Sequence, residues 1–401
     1  MEMLKLVAIF IGIMIFIKLK KPLYFSILIG AIISIILFKI PISTSFNLTK
    51  KALTSAETIN LVLAFYTITF VQRMMEKRKH IFLAEKSLDN IFNSKRINIM
   101  LAPFVIGLLP SAGAVLIAAP IVKNAAEDNL SVEEQAFVTS YYRHISEAFL
   151  PTYSSILLAL ELSKVDMTKF VVGMLPMVAV LFVLGYIFYV KKIPKITEKK
   201  INVNLKKEIK NLIISLWPIA VTIIIVLSLK ITVYKAVIPV IIVSAFINRF
   251  KIKELLPMFK SAFETKLIGS TVAIMIFKEL LTDTGVVGRL PGYFEMLPIP
   301  STVIFVIIFL VSTLITGSQA TIALALPLAF ATIPNGGLSL MILLMCMMYI
   351  GMQISPTHIC LAIVVEHFGI SFIDLIKKTI PVFFSFIIIC SLYSYLLFLF
   401  E

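Results

Sequence analysis

The sequence is poor in cysteine and in charge, and each shortage excludes a class of protein. It has 3 cysteines in 401 residues, none in a CxxC pair, and all lie in apolar segments: Cys346, Cys360 and Cys390. This spacing excludes a disulfide framework and predicts no metal site, so we interpret them as small core residues. Charged residues make up 15% and hydrophobic residues 59% of the chain, whereas soluble domains are about 45–50% apolar. A soluble domain of useful size is therefore excluded.

Motifs of catalysis and nucleotide binding are also missing. The chain has no HExxH, no GxSxG and no GxxxxGK[ST] pattern, which excludes the common hydrolases and ATP-driven machines. We expect no enzyme and no cofactor, apart from sodium as a candidate coupling ion. No small-residue cleavage site follows the first apolar run, so we expect a retained first helix instead of a cleaved signal.

Apolar segments make up most of the chain. The mean hydropathy is +1.01, and runs of about 20 residues, enough to cross a bilayer, recur throughout. The net charge of +15 comes from 37 Lys and Arg against 22 Asp and Glu. These basic residues lie mainly in short loops, as the positive-inside rule requires. We therefore predict an all-α polytopic protein of the cell membrane, whose partner is the lipid bilayer and not nucleic acid.

Two helix breaks mark an internal repeat. Pro151-Thr152 interrupts one apolar segment, and Pro356-Thr357 interrupts another 205 positions later. Three further pairs follow at shifts of 205 to 207, namely Glu161 and Glu366, Pro176 and Pro381, and Pro120 and Pro327. We predict a first repeat at 1–195 with a hairpin at 97–122 and a broken helix at 134–162, a basic cytoplasmic linker at 196–210, and a second repeat at 211–401 with a hairpin at 302–333 and a broken helix at 338–367.

The distribution of charge predicts the topology. Ten crossings, two opposed re-entrant hairpins and extracytoplasmic termini place most of the 37 basic residues on the cytoplasmic side. The second repeat is then inverted relative to the first. Basic segments at 73–96 and 249–266 are each predicted to lie in the interface plane as one amphipathic helix. For the first hairpin, the alternative is a kinked helix that crosses once.

Small and hydroxyl residues occupy both predicted hairpin tips. Broken helices expose N–H groups at one end and carbonyls at the other, so opposed tips form an ion and solute site. The alternative is close helix packing through small residues. The candidates for solute binding are Ser111, Ala112, Gly113, Arg143, His144, Thr152, Thr316, Gly317, Ser318, Gln319, Thr357 and His358; those for the coupling ion are Ser111, Glu147, Thr152, Ser318, Thr321 and Thr357.

Three ionisable residues stand just before the first break. Arg143, His144 and Glu147 lie at i, i+1 and i+4 and share one helix face, and such charge within an apolar segment is a functional-site hypothesis. In one interpretation Arg143 binds an anion and His144 or Glu147 carries a proton. In the other, Arg143 and Glu147 form an internal pair, or the charges snorkel at the interface. His358 is either a core histidine or a ligand.

At these motifs the chain resembles the ion-transporter superfamily of secondary carriers, which includes gluconate permeases, citrate carriers and dicarboxylate–sodium symporters. The likeness is nearest to an uncharacterised integral-membrane family within it. It rests on Gly107-Leu-Leu-Pro-Ser-Ala-Gly113, Tyr142-Arg-His144 and Ser355-Pro-Thr-His358. The resemblance implies a homodimer with an elevator-like moving part. Sodium-coupled dicarboxylate members carry Ser-Asn-Thr at each tip, which this chain replaces.

These observations together predict a secondary active transporter. Its solute would be a small organic anion, coupled to H+ or Na+. Two other classes stay open: a membrane-embedded binding or assembly protein that moves nothing, and a channel.

Overall fold

The computed structural model describes residues 2–92, 94–108, 114–195, 203–356 and 358–400, and their regular elements are all helical. The twenty α-helices of these residues are, in chain order, α1 Glu2–Lys18, α2 Leu23–Phe38, α3 Ile42–Thr54, α4 Ala56–Lys77, α5 His80–Ile91, α6 Lys95–Gly107, α7 Ala114–Ala126, α8 Val132–His144, α9 Ser154–Ser163, α10 Met167–Phe188, α11 Leu205–Leu229, α12 Val233–Ile247, α13 Ile252–Ala262, α14 Thr265–Asp283, α15 Leu290–Glu295, α16 Ser301–Thr316, α17 Ser318–Thr332, α18 Gly337–Gln353, α19 Ile359–Phe368 and α20 Phe372–Phe400.

Helix length and hydropathy mark the clearest membrane spans. Within the described part of the chain, α10, α11 and α20 are each long and apolar enough to cross a membrane. The helices α3 and α4 meet at a bend of 46° and would make a fourth span together. Seven further apolar helices have only 10–17 residues, fewer than the about 20 that a straight crossing needs. The molecule is thus an all-helical membrane protein, and the ten crossings stay a prediction.

The core surrounds the two central helices α8 and α18. Every side chain of α18 from Ser339 to Gln353 is buried, and so is every side chain of α8 from Glu134 to His144. A capping box starts α8: Ser131 Oγ accepts a hydrogen bond from the Glu134 N–H, and Glu134 Oε2 accepts one from the Ser131 N–H. Helices at the periphery turn apolar side chains outward, as lipid contact requires.

The contacts between the two halves of the chain, α1–α10 and α11–α20, come in corresponding pairs. Helix α2 packs against α14, and α12 packs against α4. In the same way α9 packs against α17, and α19 packs against α7. The helix that follows each break therefore contacts the second helix of the hairpin predicted in the other half of the chain. The inverted relation of the two halves stays a prediction.

The peripheral helices differ from the sequence predictions. The single amphipathic helix over 73–96 is wrong, because the chain turns at Lys79, which has a φ of 54°, and α5 starts after it. Residues 42–54, for which no helix is predicted, form α3. Ser55 lies between α3 and α4. Its hydroxyl accepts a hydrogen bond from the Thr58 N–H at 3.2 Å and so caps α4.

A half-buried ion pair joins α4 to α13 of the other half of the chain. Arg78, at the end of α4, donates from both terminal nitrogens to the Glu254 carboxylate of α13, at 2.9 and 3.1 Å. The hydrogen bonds from Arg78 lower the pKa of Glu254 to about 2. The carboxylate ionises at a higher pH in an unfolded chain, so this contribution to stability is lost as the pH falls toward 2.

Candidate functional site

The two helix breaks meet at a pair of histidines. Helix α8 ends at His144, and α19 begins directly after His358. The two Nε2 atoms lie 3.0 Å apart, although the residues are 214 positions apart in the chain. His144 Nδ1 lies 2.6 Å from the Ser140 carbonyl oxygen, to which it donates, so its Nε2 carries the lone pair. His144 is fully buried.

Beside this pair lies a buried ion pair. Arg143 donates to Glu147, four positions along the chain, and its side chain is only 1% exposed. A lone buried charge is very costly, whereas a paired one is tolerated. The internal pair that sequence analysis left open is therefore present, and the charges of the two residues cancel in this conformation.

Each break is held to the first arm of its own hairpin through a carbonyl oxygen. At the first, Gly107 O accepts hydrogen bonds from Ser146 Oγ at 2.6 Å and from the Tyr153 hydroxyl. At the second, Leu314 O accepts one from Ser355 Oγ at 2.7 Å. Carbonyls in the last turn of a helix lack an intrahelical partner, and hydroxyls of the broken segment supply one. Residues 107 and 314 differ by 207, the shift that also relates Pro120 to Pro327.

A cavity of about 320 Å³ opens at the second hairpin tip. Helix α17 starts there without a capping side chain, because Gly317 precedes it with a φ of 85°, a conformation that favours glycine. The Thr313 hydroxyl is fully buried at the cavity and has no hydrogen-bond partner among the described residues. The cavity is lined by Leu23, Thr313, Thr316, Gly317, Ser318, Gln319, Ala320, Met352, Ser355 and His358.

Five predicted site residues line this cavity: Thr316, Gly317, Ser318, Gln319 and His358. Thr321 is not among the lining residues. Its hydroxyl bonds to Ser312 Oγ at 2.9 Å and to Gly317 O at 3.1 Å. Gln319 Nε2 also donates to Ser154 Oγ at 2.8 Å, which joins this tip to the first broken segment. The remaining predicted tip and break residues, Ser111, Ala112, Gly113 and Thr357, lie outside the described residues.

Thr152 lines a separate and much smaller cavity. This space measures about 20 Å³ and is also lined by Gln72 and Thr222. The Thr152 hydroxyl is buried there without a hydrogen-bond partner in the described part of the chain. A single water needs about 10–15 Å³ by this measure. The cavity can therefore hold one water or one monatomic ion, but not an organic solute.

Sequence reasoning missed several residues that contribute to the site. Ser154 and Thr313 have polar groups at the cavity or at the first break, but isolated hydroxyls in apolar helices give no signal in the sequence. Ser355 stands in the motif quoted above, but it was not among the predicted site residues. Cys360, which we interpreted as a small core residue, has its thiol within 4.8 Å of ligand nitrogens on His144 and His358. The His-x-Cys spacing at 358–360 was the only local indication, and its third partner lies in the other half of the chain.

Comparison with solved structures supports the fold. The chain is similar to the crystal structure of the Alcanivorax borkumensis YdaH transporter, described as having an unusual topology. The TM-score is 0.63 at 11% identity, over 90% of this chain and 89% of that chain. No curated protein matches the sequence.

The predicted likeness to an uncharacterised family is confirmed, whereas membership of the wider ion-transporter superfamily stays a prediction. The family described as "Protein of unknown function (DUF401)" matches residues 3–398, and the chain therefore belongs to this family.

Proposed function

We propose that the protein is a secondary active transporter of a small organic anion. The observation that carries this proposal is the cavity where the second hairpin tip, the second break and His358 come together. Five residues predicted for solute binding line it. Similarity in fold to a transporter supports the same conclusion. In this proposal the chain forms two inverted repeats with extracytoplasmic termini in the cell membrane, and works as an elevator-type homodimer.

The chemistry of the cavity favours a small anion. Its volume of about 320 Å³ is at the lower end of the range for small-molecule pockets, about 300–1,000 Å³. No Lys, Arg, Asp or Glu is found among the described lining residues. The N-terminus of α17 provides partial positive charge, and the hydroxyls of Thr313 and Ser318 add donors. A carboxylate would therefore be bound mainly by dipoles and hydroxyls.

The coupling ion would bind elsewhere. The cavity beside Thr152 is the size of one ion or water, and the Thr152 hydroxyl, buried without a hydrogen-bond partner among the described residues, is the oxygen that we propose for Na+. Glu147, close to the histidine pair, is the candidate carrier for H+. We therefore propose that transport is coupled either to Na+, bound at Thr152, or to H+, carried by Glu147.

A tryptophan at Ser318 tests the cavity directly. Ser318→Trp should reduce uptake to background, because the indole would occupy the space at the start of α17. The solute for this assay comes from a thermal-shift screen of small carboxylates in sodium and potassium buffers, since a bound ligand stabilises the folded state. Uptake is then measured in proteoliposomes.

The matched control is Ile315→Trp, three positions earlier, at a side chain that is 50% exposed. This variant should transport normally. Equal uptake by Ser318→Trp and wild type would contradict the assignment of the cavity. Carboxylate binding without counterflow would instead favour the non-transporting binding protein, and a flux that never saturates would favour the channel.

A further inference from the structure

We propose that His144, His358 and Cys360 form a binding site for a divalent transition-metal ion of the zinc class. The three ligand atoms lie within 4.8 Å of one another, and the two Nε2 atoms are 3.0 Å apart. In a tetrahedral zinc site, with Zn–N of about 2.0–2.1 Å and Zn–S of about 2.3 Å, neighbouring ligand atoms are about 3.3–3.7 Å apart. Small side-chain adjustments would therefore bring all three onto one ion.

The surroundings of His144 fit a metal ligand. Its Nδ1–H donates to the Ser140 carbonyl oxygen at 2.6 Å, which leaves Nε2 unprotonated and directed at His358. Metal-bound histidines usually hold their second nitrogen in this way, because the hydrogen bond fixes the tautomer and the ring orientation. His144 and Cys360 are buried, so the ion would be shielded from bulk water.

Burial also separates this cluster from ordinary surface groups. A hydrogen bond between two neutral imidazoles would account for the 3.0 Å contact by itself, but not for the thiol beside it. Zinc-class ions bind imidazole and thiolate ligands much better than sodium, calcium or magnesium ions do. The ligand set therefore points to a borderline-soft ion.

Charge balance links this ion to the cavity. A divalent ion with one thiolate keeps a single positive charge, and the neutral Arg143–Glu147 pair adds none. Three protein ligands leave a fourth position open, and His358 stands on the cavity wall. An anion in the cavity would complete the coordination and neutralise the charge. This last step rests on the proposed function, and it requires metal and anion to raise each other's affinity by the same factor.

Titration with Co²⁺ tests the site without any solute. The purified full-length chain, stripped with chelator in detergent, should bind one Co²⁺ per chain. It should then show the thiolate-to-cobalt charge-transfer band and the visible bands of tetrahedral coordination. Cys360→Ser should lose the charge-transfer band and bind at least about 100-fold more weakly, because loss of an outer-shell partner alone costs 10–100-fold.

Two other buried cysteines provide matched controls. Cys346→Ser and Cys390→Ser each remove a buried thiol away from the histidines and should leave the cobalt spectrum unchanged. His358→Gln is the second ligand variant and should weaken binding in the same way. Size-exclusion profiles and thermal melts show that each variant is folded.

Two results would overturn the proposal: no stoichiometric Co²⁺ binding by the wild type, or a Cys360→Ser spectrum identical to that of the wild type. The transport proposal fails separately. Metal binding without any carboxylate flux would contradict the transporter proposal and support the metal site. Normal flux without metal binding would contradict the metal site and support the transporter.

Discussion

Arg143→Ala is expected to lower the free energy of unfolding by about 3–5 kcal/mol and to abolish uptake. The change leaves the Glu147 carboxylate buried without its partner, and breaking one side of a buried ion pair has a cost of this size. Thermal denaturation of the purified protein measures the first effect, and proteoliposome uptake measures the second. Retained uptake at wild-type rate would limit Arg143 to a packing role.

A double variant separates stability from function at this pair. Arg143→Met combined with Glu147→Leu removes both charges and fills a similar volume, so it should recover most of the lost stability, since apolar replacements of buried pairs are often neutral or stabilising. If Arg143 binds the anion or Glu147 carries the proton during transport, the stable double variant stays inactive. Recovery of uptake together with stability would show that the pair only holds α8 in place.

Gly107→Ala is expected to disrupt the folded state at the first hairpin. A Cβ added at this position would lie 1.9 Å from the Arg143 carbonyl oxygen and 2.9 Å from Ser146 Oγ. Because the nearest atom belongs to the backbone, α6 and the first break must move apart. We expect a destabilisation of about 3 kcal/mol or more, at the upper end for overpacking. The readout is the melting temperature of the detergent-purified protein.

The control for this change is Gly269→Ala in α14. Its added Cβ would meet the Tyr24 ring no closer than 3.6 Å, which is ordinary contact. Alanine is also the better helix former by up to about 1 kcal/mol, so this variant should be as stable as the wild type or slightly more so. A Gly107→Ala protein that melts with the wild type would show that the two elements are not packed as described.

The sequence revealed the helix breaks better than it revealed the contacts between them. Proline and glycine leave a local signal, because they remove a donor or permit a positive φ. The cluster around Gly317 was therefore visible as a tip. The contact between His144 and His358 was not, since no local pattern records a distance between residues 214 positions apart. The place of Cys360 beside these histidines was missed for the same reason, whereas Thr313 is an isolated hydroxyl in an apolar helix.

Short helices account for the difference between the ten predicted crossings and the three or four segments that are long and apolar enough to span a membrane in the described part of the chain. A half-helix of 10 residues such as α9 or α19 has the hydropathy of a span without its length. Hydropathy merges two such pieces into one crossing, whereas helix geometry separates them. The basic segment at 73–96 was misjudged because charge patterning carries no sign of the turn at Lys79.

One consequence follows from the position of the two histidines, which come from opposite halves of the polypeptide. Neither half carries both histidines, so we expect a fragment ending at residue 195 or one starting at residue 203 to bind no Co²⁺ at this place by itself. Co-expressed, the two fragments would bind Co²⁺ there only by complementation.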